Sequence, residues 1–426
     1  MNTLNGLILA TIAITALVDY VPRAFIWVKQ AISAKTSYGR IPKYLIMPTV
    51  YGDISYLQNI DFLKKYADKV VICTSIYETT DFYRQLRQVC RKYGFRYIRV
   101  ELPMANGQPV KNAYTIYRGA LANLSRLGVN KKTPCLLIDA DTYSNGNVNN
   151  LVRTFKAANI DIASLRCEVA NPQTIIEELQ ALEYRLAMDN RRMDPWMTSG
   201  ACNLAAAGTL QHVFNNHSNF FAGGDVEIGK LAHVMGYKIK HIDFTFYTAA
   251  PDRFRDWYNQ RLIWFAGGFR HHVTNMGSFG WYHFFLLFYN SLLIYLLLPL
   301  RWIEVVNFPL TLLVLIVLSW IYTAILVTRR NWKPVYLLLP FYAFFQSMII
   351  LPMAIGRYFN LVKQHRSLGR LKYDLGAVSL SNRILYKALN YTSVLAVLYA
   401  AISFTLVRWQ YWSQHGHVMK LLFRYV

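Results

Sequence analysis

Between residues 41 and 250 the chain alternates two patterns. Continuous apolar runs of strand length fall at Tyr44–Met47, Val70–Thr74, Tyr97–Val100, Pro134–Ile138, Ile160–Leu165 and Ile239–Phe244. Charge-bearing stretches with helical period, such as Asp81–Tyr93 and Ala113–Leu127, lie between them. Strands without a polar alternation are covered on both faces, and their regular exchange with helices predicts an α/β domain with a mostly parallel sheet. Outside this block the apolar runs lengthen. Leu7–Val18, resumed as Ala24–Val28, and then Trp281–Leu300, Phe308–Val327, Pro334–Ile355 and Leu389–Val407 each approach the roughly 20 residues needed to span a bilayer.

Four regions follow from the pattern. Residues 1–40 read as an uncleaved transmembrane anchor whose basic flank, Arg23 to Arg40, sets the N-terminus outside. Residues 41–250 are the α/β domain. Residues 251–280, rich in Arg, Trp, Tyr and Phe, suit an amphipathic helix at the membrane interface, with aromatics on one side and Arg on the other. Residues 281–426 hold an α-helical transmembrane region and a basic loop at 356–388. Pro340 and Pro352 would permit a broken or re-entrant segment that keeps this loop in the cytosol.

Composition narrows the class. The 426 residues are 54% hydrophobic and 16% charged, too apolar for a disordered chain. The net charge of +23 fits basic membrane flanks and an anionic lipid surface better than nucleic acid. Five cysteines without a CxxC pair give neither a disulfide framework nor a zinc cluster.

Four stretches carry candidate chemistry. The strand Cys135–Ile138 ends in Asp139-Ala140-Asp141, and alternation puts both carboxylates on one side of a strand's C-terminal edge, where open α/β sheets bind ligands. Paired hard oxygens there suit Mg²⁺ or Mn²⁺ on a diphosphate. Gly223-Gly224-Asp225 opens a helix and offers a general base on a hydroxyl. Thr198-Ser199-Gly200-Ala201 is small enough to let a substrate approach the backbone. Gln260-Arg261-Leu-Ile-Trp264 supplies a phosphate fork and a flat ring.

In this order the motifs resemble those of the membrane-integrated processive family 2 glycosyltransferases, which include cellulose, chitin, hyaluronan and poly-N-acetylglucosamine synthases. Tyr51-Gly52-Asp53, Lys111-Asn112-Ala113 and Ala250-Pro251 resemble further motifs of that family. The resemblance implies a cytosolic GT-A-like domain in an integral protein of the plasma (inner) membrane. It implies inverting, metal-dependent transfer from a UDP-sugar to a growing polysaccharide, coupled to translocation. The alternatives are transfer of one sugar to a membrane lipid, giving a glycolipid, and an inactive scaffold or transporter. Carried over residue by residue, Asp225 is the base, Asp141 the metal ligand with Asp139 nearer the nucleotide, and Asp53 and Lys111 donor contacts. Gln260, Arg261 and Trp264 close over donor and acceptor, with Ser199 and Gly200 on the acceptor side. Three departures stand out: no carboxylate within Val71–Ser75, Gly224 in place of a Glu, and Ile263 in place of an Arg.

Overall fold

Three strands that are buried along almost their whole length organise the α/β domain of the computed structural model, which describes residues 32–34, 40–105, 107–193, 198–217, 223–275, 313, 317, 320–321 and 333–365. The strands are β1 (Ile32–Ser33), β2 (Leu45–Thr49), β3 (Val71–Ser75), β4 (Arg96–Val100), β5 (Met104–Ala105), β6 (Gln108–Pro109), β7 (Pro134–Asp139), β8 (Ile162–Val169), β9 (Cys202–Ala206) and β10 (Ile239–Thr248). The helices are α1 (Thr80–Tyr93), α2 (Ala113–Leu121), α3 (Val148–Ala157), α4 (Ile175–Met193), α5 (Ala207–Asn216), α6 (Gly224–Val234), α7 (Phe254–Asn275), α8 (Leu339–Phe345) and α9 (Leu351–His365). The chain divides into two compact units, one of Ile26–Gly267 with Arg357–Val378 and one of Met1–Phe25, Gly268–Gly356 and Ser379–Val426.

In the first unit the main sheet runs β1-β10-β8-β9-β7-β2-β3-β4, parallel throughout except for β9, which pairs antiparallel with both neighbours. The expected mostly parallel sheet is therefore present. Side chains of β2, β3 and β7 feed two cores in turn: Ile46, Ile72 and Ile138 enter one, Met47, Cys73 and Leu137 the other. The sequence reading missed β9, whose Cys-Asn-Leu-Ala-Ala is short and built of small residues. It also set the domain boundary at 41, whereas Ile32–Ser33 already add an edge strand to β10. All five cysteines are free and buried.

In the second unit the expected run Pro334–Ile355 is helical without a gap and changes helix type along its length. A 3-10 turn at Pro334–Leu338 leads into α8, a π-turn at Gln346–Ile350 follows, and α9 comes after it. Pro340 and Pro352 each sit at the second residue of an α-helical stretch that continues a preceding 3-10 or π turn, so each removes one N–H from the ladder where the helix type changes. Among the described residues no helix is long and apolar enough to cross a membrane. The runs Leu7–Val28, Trp281–Leu300 and Leu389–Val407, and nearly all of Phe308–Val327, lie outside the described residues.

One buried group makes the domain pH-sensitive. On one face of the sheet, His241 of β10, Ser164 of β8 and Asn203 of β9 are register partners, are almost fully buried and have polar atoms without hydrogen-bond partners. Burial pushes the His241 imidazole down to about 4, with Arg192, Arg166 and Arg191 pushing the same way and Asp243 opposing. A depressed histidine is neutral in the fold, so its stabilising contribution is complete above pH 6.5 and is lost as pH falls towards 4. Denaturant titrations at pH 7.5 and 4.5 should show His241→Gln losing less stability than the wild type on acidification. The difference expected is about 3 kcal/mol between pH 6.5 and 4, and equal losses in both proteins would contradict it.

Candidate active site

The C-terminal edge of the parallel strands gathers the acidic residues. Asp139 ends β7, and its turn is fixed from several sides. Its N–H donates to the Ala201 carbonyl at 3.1 Å, and its own carbonyl accepts from Thr142 N–H at 3.1 Å. The Asn59 amide bridges the carbonyls of Asp139 and Thr142 at 3.0 and 2.7 Å. Asp141 is held by Thr248 Oγ1 at 3.1 Å and Ala249 N–H at 3.2 Å, both on one oxygen. Burial, then the charges of Asp141 and Asp225, push the Asp139 carboxyl up to about 7. The charges of Asp141 and Asp225 thus reach the Asp139 carboxyl, although among the described residues no group of three or more His, Cys, Asp or Glu side chains is placed to hold a metal ion.

Asp225 enters from the opposite side, at the start of α6. Gly223 takes φ +74° ahead of it, a left-handed turn that a residue with a Cβ rarely adopts. Gly224 explains one departure from the family motif. A Cβ there would come within 2.4 Å of the Tyr114 ring, so a Glu has no room. Tyr114 stacks on His217 at 5.0 Å between ring centres, and its phenol is pushed up by burial, Asp225 and Asp139. His217 Nε2 donates to the Gly224 carbonyl at 2.9 Å and lies 3.7 Å from the fully buried Glu227. Glu227 therefore faces the interior, whereas the Asp225 side chain keeps about a quarter of its surface exposed (24%).

The small-residue stretch meets Asp225 directly. Thr198 Oγ1 donates to the Asp225 carbonyl at 2.6 Å, and a Cβ on Gly200 would stand 3.4 Å from that of Asp225. Ser199 is buried, so Gly200 is the member of the predicted pair that borders the site in the open. Arg191, in the last turn of α4, brings its guanidinium to 4.0 Å from an Asp225 oxygen. Sequence reading did not find this cation, since 34 residues separate the two.

A second corner forms around Glu78, which also went unread. Its side chain is only 2% exposed. One oxygen accepts from Gly52 N–H at 3.0 Å; the other accepts from Ser75 Oγ at 2.9 Å and lies 3.2 Å from Lys111. Lys111 also donates to the Tyr77 carbonyl at 2.8 Å. Glu78 lies three residues beyond β3, so the strand without a carboxylate gains one from its following loop. Asp53, fully exposed, accepts from Ser55 N–H at 2.8 Å and caps a 3-10 turn at Ile54–Tyr56. That bond holds its carboxyl below the usual carboxylate range.

The motif on α7 corrects the expected division of aromatics and Arg. Trp257 and Arg261, one turn apart, are both buried. The Arg261 guanidinium is bonded to Glu183 at 2.7 Å, Gln180 at 3.4 Å and Gln260 at 2.6 Å, and covers the Trp264 ring at 4.2 Å. A buried cation needs such compensation, and here it binds α7 to α4 instead of reaching for a phosphate. Trp264 remains 44% exposed and leans on Tyr184, with ring centres 5.7 Å apart. Helix α4 therefore touches both parts of the site, Glu183 at the aromatic end and Arg191 eight residues on, about 12 Å along the axis.

A mostly parallel sheet with an acidic strand edge of this kind defines a GT-A-like glycosyltransferase domain. Residues 135–349, about half of the chain, match the family model described as glycosyl transferase family group 2, and the chain belongs to that family. It is a glycosyltransferase. Among solved structures it is similar to mannosyltransferase PcManGT from Pyrobaculum calidifontis in complex with GDP-Man and Mn²⁺. Identity there is 12% and the TM-score 0.46, over 94% of this chain and 99% of that one. At 11% identity and a TM-score of 0.29 it is similar to a Bacillus anthracis protein named for glucose-1-phosphate thymidylyltransferase in complex with a sucrose, over 48% of this chain and 87% of that one. No curated protein matches the chain.

Removing the compensating carboxylate tests the assignment of Arg261. Glu183→Ala should destabilise the domain by about 3 kcal/mol, the cost of stranding a buried charge, in a denaturant titration. Arg261→Met paired with Glu183→Ala should recover part of that loss. A single variant as stable as wild type would show that the ion pair does not hold α7.

Proposed function

We propose that this enzyme transfers a sugar from a UDP-sugar, with inversion, to a hydroxyl of a growing polysaccharide at a membrane. The observation that carries the reading is the convergence of Asp139, Asp141 and Asp225 at one sheet edge, with Asp139 raised to about 7. Asp225 takes the acceptor proton as the hydroxyl oxygen attacks the anomeric carbon. The bond from that carbon to the diphosphate breaks, and the diphosphate leaves with the electron pair. Asp139 and Asp141 would hold Mn²⁺ or Mg²⁺, which fits two hard oxygens whose remaining coordination comes from diphosphate and water. When bound, the ion supplies positive charge to the leaving diphosphate. Arg191 orients the Asp225 carboxylate; Trp264 and Tyr184 offer a platform for the acceptor sugar. Glu78 and Lys111 shape the nucleotide corner beside Gly52.

The membrane part of the reading rests on the apolar runs of the sequence and on family resemblance. On it, the protein is integral to the plasma (inner) membrane, its catalytic domain is cytosolic, and its helices conduct the polymer among membrane lipids. Sizing the product of purified enzyme supplied with UDP-glucose, UDP-N-acetylglucosamine or UDP-glucuronate and Mn²⁺ tests this. A single sugar on a lipid would replace the polymer reading.

Asp225→Asn should lower the transfer rate by roughly 10²–10⁴-fold with UDP affinity near that of wild type, as expected for loss of a general base. Glu227→Gln is the control, because its carboxylate is buried away from solvent. An active Asp225→Asn beside a dead but folded Glu227→Gln would move the base by two residues and overturn the assignment.

A further inference from the structure

The edge of the sheet opposite the carboxylates holds a second concave site. A cleft of about 680 Å³ opens at the N-terminal ends of β7 and β8, lined by Lys131, Lys132, Lys156, Asp161, His212 and Tyr237 among others. Lys131 and Lys132 precede Pro134, the first residue of β7, and Asp139 is the last. The cleft and the catalytic carboxylates are therefore separated by the length of that strand, about 20 Å. A ligand in one does not touch the other.

Charge identifies what the cleft takes. Its lining has three lysines and one carboxylate, and that carboxylate, Asp161, accepts from Lys238 N–H at 2.9 Å. Among the described residues none of the three ammonium groups is ion-paired with a carboxylate. The Lys156 ammonium instead donates to the Lys132 carbonyl. Three lysines against one carboxylate give the lining of the cleft an excess of positive charge, and a concave wall focuses such a field on an anion that enters. Neutral donors and a ring complete the lining. His212 Nδ1 and the Tyr237 hydroxyl are hydrogen-bonded at 2.8 Å, and Asn159 is held at φ +48°, a left-handed conformation uncommon outside glycine. Helix α5 begins in the same wall, and its first amides are already engaged: Ala207 N–H donates to the Thr133 carbonyl and Gly208 N–H to the Lys131 carbonyl, both at 2.8 Å, which leaves the lysines as the positively charged groups of the cleft. A volume of this size suits a small molecule rather than a macromolecular surface.

We infer that this cleft binds a small phosphate-bearing ligand, with Lys131, Lys132 and Lys156 as its charge partners, as a site separate from the catalytic one. Lysine ammonium groups are compact donors for phosphate, and the chemistry is common to a soluble phosphorylated metabolite and a phospholipid headgroup.

The test is calorimetric titration of the purified full-length protein with inorganic pyrophosphate in EDTA. Under chelation the acidic catalytic edge repels an anion, so binding reports the basic cleft. Saturable binding is expected, weakening at least tenfold when Lys131, Lys132 and Lys156 are all changed to Gln, and unchanged in Asp139→Asn. Transfer activity without added ligand should be the same in the triple variant as in wild type, which also shows that it folds. Parallel titration with short-chain, soluble dihexanoylphosphatidylglycerol separates the two sources, the tighter of the two probes identifying which. No binding of either probe by the wild type, equal affinity in the folded triple variant, or loss of binding in Asp139→Asn would overturn the site.

Discussion

Crowding of negative charge at the end of β7 is the constraint on which the site depends. Asp139 is half-buried, and burial with the charges of Asp141 and Asp225 pushes its carboxyl up to about 7. A fold that ionises all three must supply compensation. The surroundings of the edge are built accordingly: Thr248 and Ala249 donate to Asp141, Arg191 stands beside Asp225, and the Asn59 amide locks the turn between Asp139 and Thr142. These contacts fix where the charges are.

Close backbone approaches bring Asp225 to that edge. The antiparallel strand β9 reverses direction between β7 and β8, so Gly200 and Ala201 arrive at the catalytic end while the neighbouring parallel strands leave from it. Gly200 then lets Asp225 come within van der Waals contact, and Gly224 lets Tyr114 pack under the same turn. Helix α4 links this region to Trp264 through Arg191 at one end and the Glu183–Arg261 pair at the other. Of the departures from the family motif, Gly224 has a steric reason, since the Tyr114 ring fills the space that a side chain there would need.

Much of this could be read from residues alone, for identifiable reasons. Strands β2, β3 and β7 are covered on both faces and so appear as unbroken apolar runs. Asp139, Asp141 and Asp225 lie at strand and helix ends, where pattern and chemistry coincide. Strand β9 escaped because Cys-Asn-Leu-Ala-Ala has neither length nor bulk. Glu78 escaped because it belongs to a loop beyond its strand, although a lone acid just before the helix-capping Thr79 was a usable signal. Arg191 ends a charged helix and meets Asp225 only through the tertiary fold. For Arg261 the residue type suggested a phosphate fork, and its burial beside Glu183 could not be read from the motif. Spacing identifies the carboxylates; it does not say which cation is already engaged.

The most direct test of the central claim is a Mn²⁺ titration of the purified protein in the presence of UDP, followed by the electron paramagnetic resonance of free Mn²⁺. The account predicts saturable Mn²⁺ uptake by the wild type, with affinity lost by at least tenfold in folded Asp139→Asn and Asp141→Asn variants. Wild-type affinity in both variants would contradict it, because the carboxylates would then not be the groups that require the cation.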